Sequence, residues 1–357
     1  MAKYQVFVSY KDDFSASSKA QKDVNAIMTR NGYATEEIAF TKYHNKLLNY
    51  AARKISIVQG WIRIYKKLQR DDVLFWQGPN EYTHFCGRQI LDRIVRKKKV
   101  HLIALLHDID ELRMTESLYL AGSKKQHRLI SETADTIIVH TQQMKGWMVE
   151  NGCPQEKMVV LGIFDYLSEA DREKIAEPDI VKKIVIAGNL NSDKSGYLSG
   201  LKDIKEMDFI LYGSNLNTQI IGNNTKYEGS FDSDEIIKAV CPGFGLVWDG
   251  ESIDTCSGTF GSYLKYNSPH KLSLYLRIGL PVIVWAKSAQ ADYVKKAGVG
   301  ICINSLKEIR EKLDRLNKEE LGIMLENSYK ISRLLKNGNY LTQALRTAED
   351  RITTYGN

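Results

Sequence analysis

FGLVWDGESIDTCSGTFGSYLKYNSPHKLSLYLRIGLPVIVW, residues 244–285, holds two apolar strand-like runs, 244–248 and 280–285, separated by a polar Gly/Ser/Asp loop and one short helix. Ser268-Pro269 marks the start of that helix, because serine is a favoured N-cap and proline at the first helical position forfeits no hydrogen bond. His270 and Lys271 then fall on the first turn. Unsatisfied backbone N–H groups and the positive end of the helix dipole make such a turn an anion site, and a lysine strengthens it. A lone lysine at a helix end is ordinarily a solvated surface residue. The strand-loop-helix-strand context shifts the reading towards phosphate, since ligands of open α/β sheets bind at the carboxyl ends of the strands.

The rest of the chain repeats this alternation. Apolar runs at 4–10, 73–77, 101–107, 135–140 and 158–163 are interleaved with helical stretches near 15–31, 45–70, 80–98, 114–133 and 141–151. A polar segment, Ser168 to Lys182, interrupts the pattern and is the expected linker. Strands then restart at 183–188, 208–212, 244–248, 281–285 and 299–303, followed by helices over 305–316 and 318–354. Alternation of this kind predicts two mainly parallel, doubly wound α/β domains, 1–167 and 183–357. No internal repeat or low-complexity tract appears.

Composition agrees: 357 residues, 43% apolar and 26% charged, are those of a globular chain of two ordinary domains. No run approaches the roughly 18 apolar residues of a membrane span, and the N-terminus lacks a signal-peptide core, so the cytoplasm is the expected compartment. The five cysteines, at 86, 153, 241, 256 and 302, lack the short spacing of a zinc or redox pair and are expected to be free thiols. Residues 1–170 hold 25 Lys+Arg against 19 Asp+Glu, which puts +6 of the +7 net charge there. Two places concentrate it: Arg93, Arg96, Lys97, Lys98 and Lys99, and the segment 45–70, where apolar residues recur at helical spacing beside Arg53, Lys54, Arg63, Lys66, Lys67 and Arg70. That helix either faces a core with a solvated basic side, the preferred reading, or lies on an anionic membrane. With no recognisable binding motif and a modest net charge, nucleic acid is not an expected partner.

Further chemistry clusters at predicted strand ends. Gly188, Asn189 and Lys194 lie in a loop that can present backbone amides and one cation to a diphosphate, or serve as a plain connection. Tyr212-Gly213 and Trp248-Asp249 end two further strands, the aromatics suited to a nucleobase face or to packing, Asp249 to sugar hydroxyls. The loop 249–267 offers hydrogen-bonding groups for a sugar in Asp249, Asp254, Ser257, Tyr263, Lys265 and Asn267. In the first half, His107, Asp108 and Asp110 follow the strand 101–107, with Arg113 close behind; the alternatives are a carboxylate or imidazole general base and a surface helix cap.

Long motifs now become recognisable: FGLVWDG, DTCSGTFGSYLKYN, PHKLSLYL and GLPVIVW, with HDIDELR at 107–113, IFDYL at 163–167 and AGNL at 187–190. From about residue 70 onward the chain resembles the bacterial β-galactofuranosyltransferases of surface-polysaccharide biosynthesis, and more distantly the glucosyltransferases that extend N-acetylglucosamine on serine-rich adhesins. The resemblance implies a GT-B architecture, two Rossmann-like domains facing across a cleft, with terminal helices that return to the first domain. It implies inverting transfer of a hexose from a UDP-sugar, UDP-galactofuranose by the pattern of the 249–267 loop, to a glycan or lipid-linked glycan, with loose association of the basic first half with an anionic membrane. Oligomers are compatible with it. Asp108-Ile109-Asp110 spells a metal-type D-x-D, but GT-B clefts usually neutralise diphosphate with lysine or arginine and a helix N-terminus, so no metal cofactor is expected. By the same resemblance Asp108 is the favoured base, with His107 and then Asp110 behind it. A UDP-glucose-dependent glucosyltransferase and a GT-B UDP-sugar epimerase are the alternatives.

Overall fold

The computed structural model describes residues 1–10, 16–40, 45–78, 87–113, 127–175 and 183–355. The chain forms two compact units, Met1–Leu161 with Leu341–Asn357, and Gly162–Tyr340. The first carries β1 (Lys3–Tyr10), β2 (Ala34–Phe40), β3 (Val73–Gly78), β4 (His101–Leu106), β5 (Thr136–Val139) and β6 (Met158–Val160). The second carries β7 (Lys183–Asn189), β8 (Asp208–Ser214), β9 (Thr225–Tyr227), β10 (Phe244–Val247), β11 (Val282–Trp285) and β12 (Gly300–Ile303). Every pairing is parallel, in the orders β2-β1-β3-β4-β5-β6 and β12-β11-β10-β7-β8-β9. Parallel strands are covered on both faces, so β3, β5, β10 and β11 are buried end to end and are largely apolar, with Gln77 and Thr136 the buried polar side chains among them.

The two strands that periodicity misses are edges. In β2 only Glu36 and Ile38 are buried among the residues whose burial is described, and Glu36 holds Lys67 and Arg63; β9 is three residues long. The long helix Lys46–Lys67 is capped by Asn45, whose side chain accepts from the amides of Leu47 and Leu48. It buries Ile57, Trp61 and Ile64, with Leu68 just beyond, each contributing on the order of 1.5–3 kcal/mol. At its far end Lys98 Nζ donates to the carbonyls of Tyr65 and Leu68, so this lysine closes a helix terminus instead of joining a surface patch. Among the described residues no helix is long and apolar enough to cross a membrane.

The passage from unit to unit falls at Leu161–Gly162, ahead of the polar stretch read as the linker. Ile163, Phe164, Tyr166 and Leu167 are buried in the second unit. Ser273 Oγ donates to Phe164 O (2.6 Å), Gln290 Nε2 to Gly162 O (3.1 Å), and the buried Arg277 to the carbonyls of Ser168 (3.1 Å) and Ala170 (2.6 Å). Polar composition misleads here because a buried guanidinium satisfies the backbone of this segment. Residues 176–182 of the expected linker, and Cys86, lie outside the described residues. The terminal stretch read as one helix is two, Lys318–Asn337 and Asn339–Tyr355, broken at Gly338 in the left-handed conformation (φ 75°). Residues from Leu341 onward belong to the first unit, where Tyr33 Oη donates to Glu349 (2.7 Å) and Leu341, Ala344, Leu345, Ala348 and Ile352 are buried at helical spacing.

Candidate active site

The order of the second sheet reverses between β7 and β10, the strand pair whose carboxyl ends form the ligand crevice of a doubly wound fold. The loops leaving these strands are stitched together by backbone. Gly250 N–H donates to Lys194 O (2.8 Å), and Tyr197 N–H to Gly250 O (3.1 Å). Only glycine fits at 250: φ is +112°, and a Cβ would stand 2.2 Å from Ser257 O. Gly213 is required for the same reason on β8, where a Cβ would meet Gly188 O at 1.8 Å.

Lys271 points into this junction from the first turn of the helix His270–Ile278. Its Nζ donates to Trp248 O (3.0 Å) and pairs with Asp249 Oδ1 (2.7 Å), and the two side chains are only 10% and 5% exposed. Burial pulls the lysine below its ordinary pKa; Asp249 pushes it back up, while Lys194 lowers it. The structure therefore gathers Lys194, Asp249 and Lys271 at one point, and Asp249 is committed to the lysine. The helix begins one residue later than its sequence signal: Pro269 occupies the cap position with no side-chain cap bond, so Ser268 is not the N-cap. His270 lies against the rings of Phe164 (5.5 Å) and Tyr166 (5.8 Å), which ties IFDYL to the helix start. Just upstream, the amide oxygen of the half-buried Asn267 is buried without a hydrogen-bond partner. An unmet acceptor of this kind costs about 1–3 kcal/mol.

Other residues of the expected site are placed differently. Trp248 is wholly buried, its indole N–H donating to Ser252 O (3.0 Å), and Tyr212 is 2% exposed with its hydroxyl accepting from Cys241 N–H (3.0 Å). Both rings belong to the core, so neither offers a face to a base. Asp254 forms an exposed pair with Lys307 (2.8 Å), and Tyr263 is buried. Lys265 is exposed, 5.8 Å from the Trp285 ring centroid, and Ser257 is half-buried ahead of the helix Gly258–Tyr263. Gly188 and Asn189 are exposed at the end of β7, with Asn189 Oδ1 accepting from Asn191 N–H (3.1 Å) and Asn215 Nδ2 (3.0 Å).

In the first unit the carboxyl end of β4 carries His107, whose N–H continues the ladder to Gly78 O (3.2 Å). Its Nε2 stands 2.8 Å from Gln77 Oε1, and Gln77 Nε2 donates to Gln21 O (3.3 Å). That network orients the amide so that Nε2 of His107 carries the proton and Nδ1 the lone pair. Burial, then the neighbouring His140, pull His107 down to about 4, with Asp108 acting against them. His140 is also drawn to about 4 by burial; its Nε2 donates to Leu106 O (2.9 Å). Ile109 is buried, and Arg113 spans the aspartates on either side, Nη1 to Asp108 Oδ2 (3.0 Å) and Nε to Asp110 Oδ1 (2.8 Å). Among the described residues no group of three or more His, Cys, Asp and Glu is arranged to hold a metal ion. Sequence reasoning passed over Gln77 and His140, both legible only as polar residues closing apolar runs.

The fold recurs in solved proteins. The Anabaena protein HepE, crystallised in complex with UDP and glucose, superposes with a TM-score of 0.61 at 11% identity, covering 98% of this chain and 99% of that one. The chain has the GT-B fold. Family models described as Glucosyltransferase 3-like, N-terminal domain and C-terminal domain match residues 3–163 and 184–348. The β-1,6-galactofuranosyltransferase WbbI of Escherichia coli K12 is 36% identical over 289 residues, 80% of this chain and 82% of the relative. Glucosyltransferase 3 of Streptococcus gordonii is 23% identical over 330 residues, 91% and 92% of the two chains. The chain belongs to the Glucosyltransferase 3-like family.

Proposed function

We propose that this glycosyltransferase moves galactofuranose from UDP-galactofuranose to a hydroxyl of a glycan acceptor, with inversion, in a β-1,6 or similar linkage of surface-polysaccharide assembly. The observation that carries the donor choice is the 36% identity to a β-1,6-galactofuranosyltransferase, against 23% to Glucosyltransferase 3. UDP is also the nucleotide in the HepE complex on the same fold. In this reading Lys271, Lys194 and the first-turn amides of His270–Ile278 neutralise the departing diphosphate. Asp249 keeps the buried Lys271 charged and aimed, and Asn267 accepts a hydroxyl of the donor. Asp108 removes the acceptor proton as the anomeric carbon is attacked, with Arg113 orienting it; His107, neutral at pH 7, is the second candidate. Because protein cations supply the counter-charge, no divalent metal is needed. A cytoplasmic reaction, a lipid-linked acceptor and loose attachment to an anionic leaflet belong to the same reading.

The test is parallel incubation with UDP-galactofuranose and UDP-glucose, each with a panel of glycosyl acceptors, with and without EDTA. The expected product is a β-galactofuranoside formed at a rate that chelation leaves unchanged. Transfer from UDP-glucose alone would assign the glucosyl activity instead, and donor epimerisation without acceptor would reject transfer. Activity lost to EDTA and restored by manganese would return Asp108 and Asp110 to a metal role.

A further inference from the structure

The helix Lys46–Lys67 has more apolar surface than its own unit uses. Ile57, Trp61 and Ile64 face the core, yet Leu47 (79% exposed), Leu48 (61%), Ile55 (56%) and Ile62 (43%) remain in water. At 100° per residue Leu48, Ile55 and Ile62 fall within a stripe about 40° wide, roughly 100° or more from Trp61, the nearest buried side chain, while Leu47 lies at the margin of the buried face. Tyr50 is 60% exposed and lies under Lys54, whose Nζ is 4.2 Å from the ring centroid. The helix carries six Lys and Arg and no Asp or Glu. Arg63 and Lys67 are taken up by Glu36, but Lys66 is exposed one turn from Ile62.

We infer that this outer stripe docks the protein on an anionic lipid surface, its leucine and isoleucines entering the headgroup boundary and the flanking cations meeting lipid phosphates. The inference rests on the membrane attachment included in the proposed function, names the element that makes it, and does not depend on the transfer reaction. A long helix with a narrow apolar stripe and charges that are all basic suits an interface, being too charged to span. Charge decides between occupants: a second copy applied to this face would oppose one acid-free basic helix to another, whereas anionic headgroups complement it. Asn45 at one end and Lys98 at the other hold the helix as a formed element, so docking carries no folding cost. The 93–99 cluster is the weaker anchor, since Lys98 is bound to helix carbonyls and Arg96 pairs with Asp92 (2.7 Å).

Flotation of the full chain with phosphatidylcholine vesicles, with and without phosphatidylglycerol, tests this. The wild type is expected to float only with phosphatidylglycerol, and less at high salt. Replacing Leu48, Ile55 and Ile62 together with Gln should lower partitioning at least tenfold; K54Q with K66Q should lower it less and reduce the salt dependence. Helical content and transfer to a soluble acceptor should be unchanged in both, which separates loss of docking from misfolding and from failure of the transferase reading. Absence of wild-type flotation, or a triple variant that floats as well as wild type, overturns the proposal. So does sedimentation of the wild type as a dimer that the triple variant converts to monomer without any vesicle binding.

Discussion

The carboxyl edges of the two sheets treat charge in opposite ways. At the β7–β10 junction a lysine and an aspartate are sealed together, 10% and 5% exposed, in loops locked by backbone bonds and by glycines that admit no side chain. After β4, two aspartates share one guanidinium with about a third of each side chain still in solvent, beside a histidine kept neutral by burial. The first arrangement fixes a positive charge in a place of low polarity, where it is worth most to a developing anion and cannot reorient. The second leaves groups able to take a proton. Under the proposed function, a pre-set electrostatic site and a proton-transfer site need these different degrees of burial.

Removing the sealed cation should have the largest effect. Lys271→Ala is expected to cost about 2–4 kcal/mol of transition-state stabilisation and to weaken UDP binding. It also strands a buried Asp249, so melting temperature is measured alongside UDP titration. Unchanged turnover and affinity would break the contrast between the edges. Next in size, Asp108→Asn should cut transfer by roughly 100-fold or more while UDP affinity survives, read by calorimetry beside single-turnover rates. A variant with near wild-type transfer moves the base to His107 or Asp110.

Two smaller effects sharpen the comparison through pH. Asp249 is the main influence holding Lys271 above the value that burial imposes, so Asp249→Asn lowers the lysine's pKa further. Activity that needs the cation is lost as pH rises through that pKa, and the alkaline limb of kcat/KM should move to lower pH in the variant. A limb that stays in place would reduce Asp249 to a packing role. His107 and His140 both fall from 6.5 to about 4 on folding, so between these values the unfolded chain binds more protons. The stability they contribute is present above pH 6.5 and drains away as pH falls towards 4. His140→Gln should flatten that decline by about 1.4 kcal/mol per pH unit, measured by urea unfolding across the window.

Much of this was legible beforehand, and the failures have identifiable causes. Buried parallel strands such as Val282–Trp285 announce themselves as apolar runs, whereas β2, at a sheet edge with Glu36 and Glu37, does not. Lys271 was legible because a basic helix start between two buried strands is an unusual juxtaposition. Asp249 stands out at a strand end in the sequence, but its pairing with Lys271, 22 positions away, does not. Trp248 and Tyr212 sit at strand ends like binding residues, and only their burial assigns them to packing. The segment from Ser168 looks like a linker until Arg277, more than 100 positions on, is found on the carbonyls of Ser168 and Ala170.

By itself the sequence determined the two parallel α/β sheets and the family, because apolar periodicity and contiguous motifs are local properties of the chain. Tertiary structure alone decided that Lys271 answers to Asp249, that Arg113 spans both aspartates, that burial and then His140 depress His107, and that Leu48, Ile55 and Ile62 stay in water while Trp61 does not. The burial and charge neighbours that set these states depend on residues that only folding brings together.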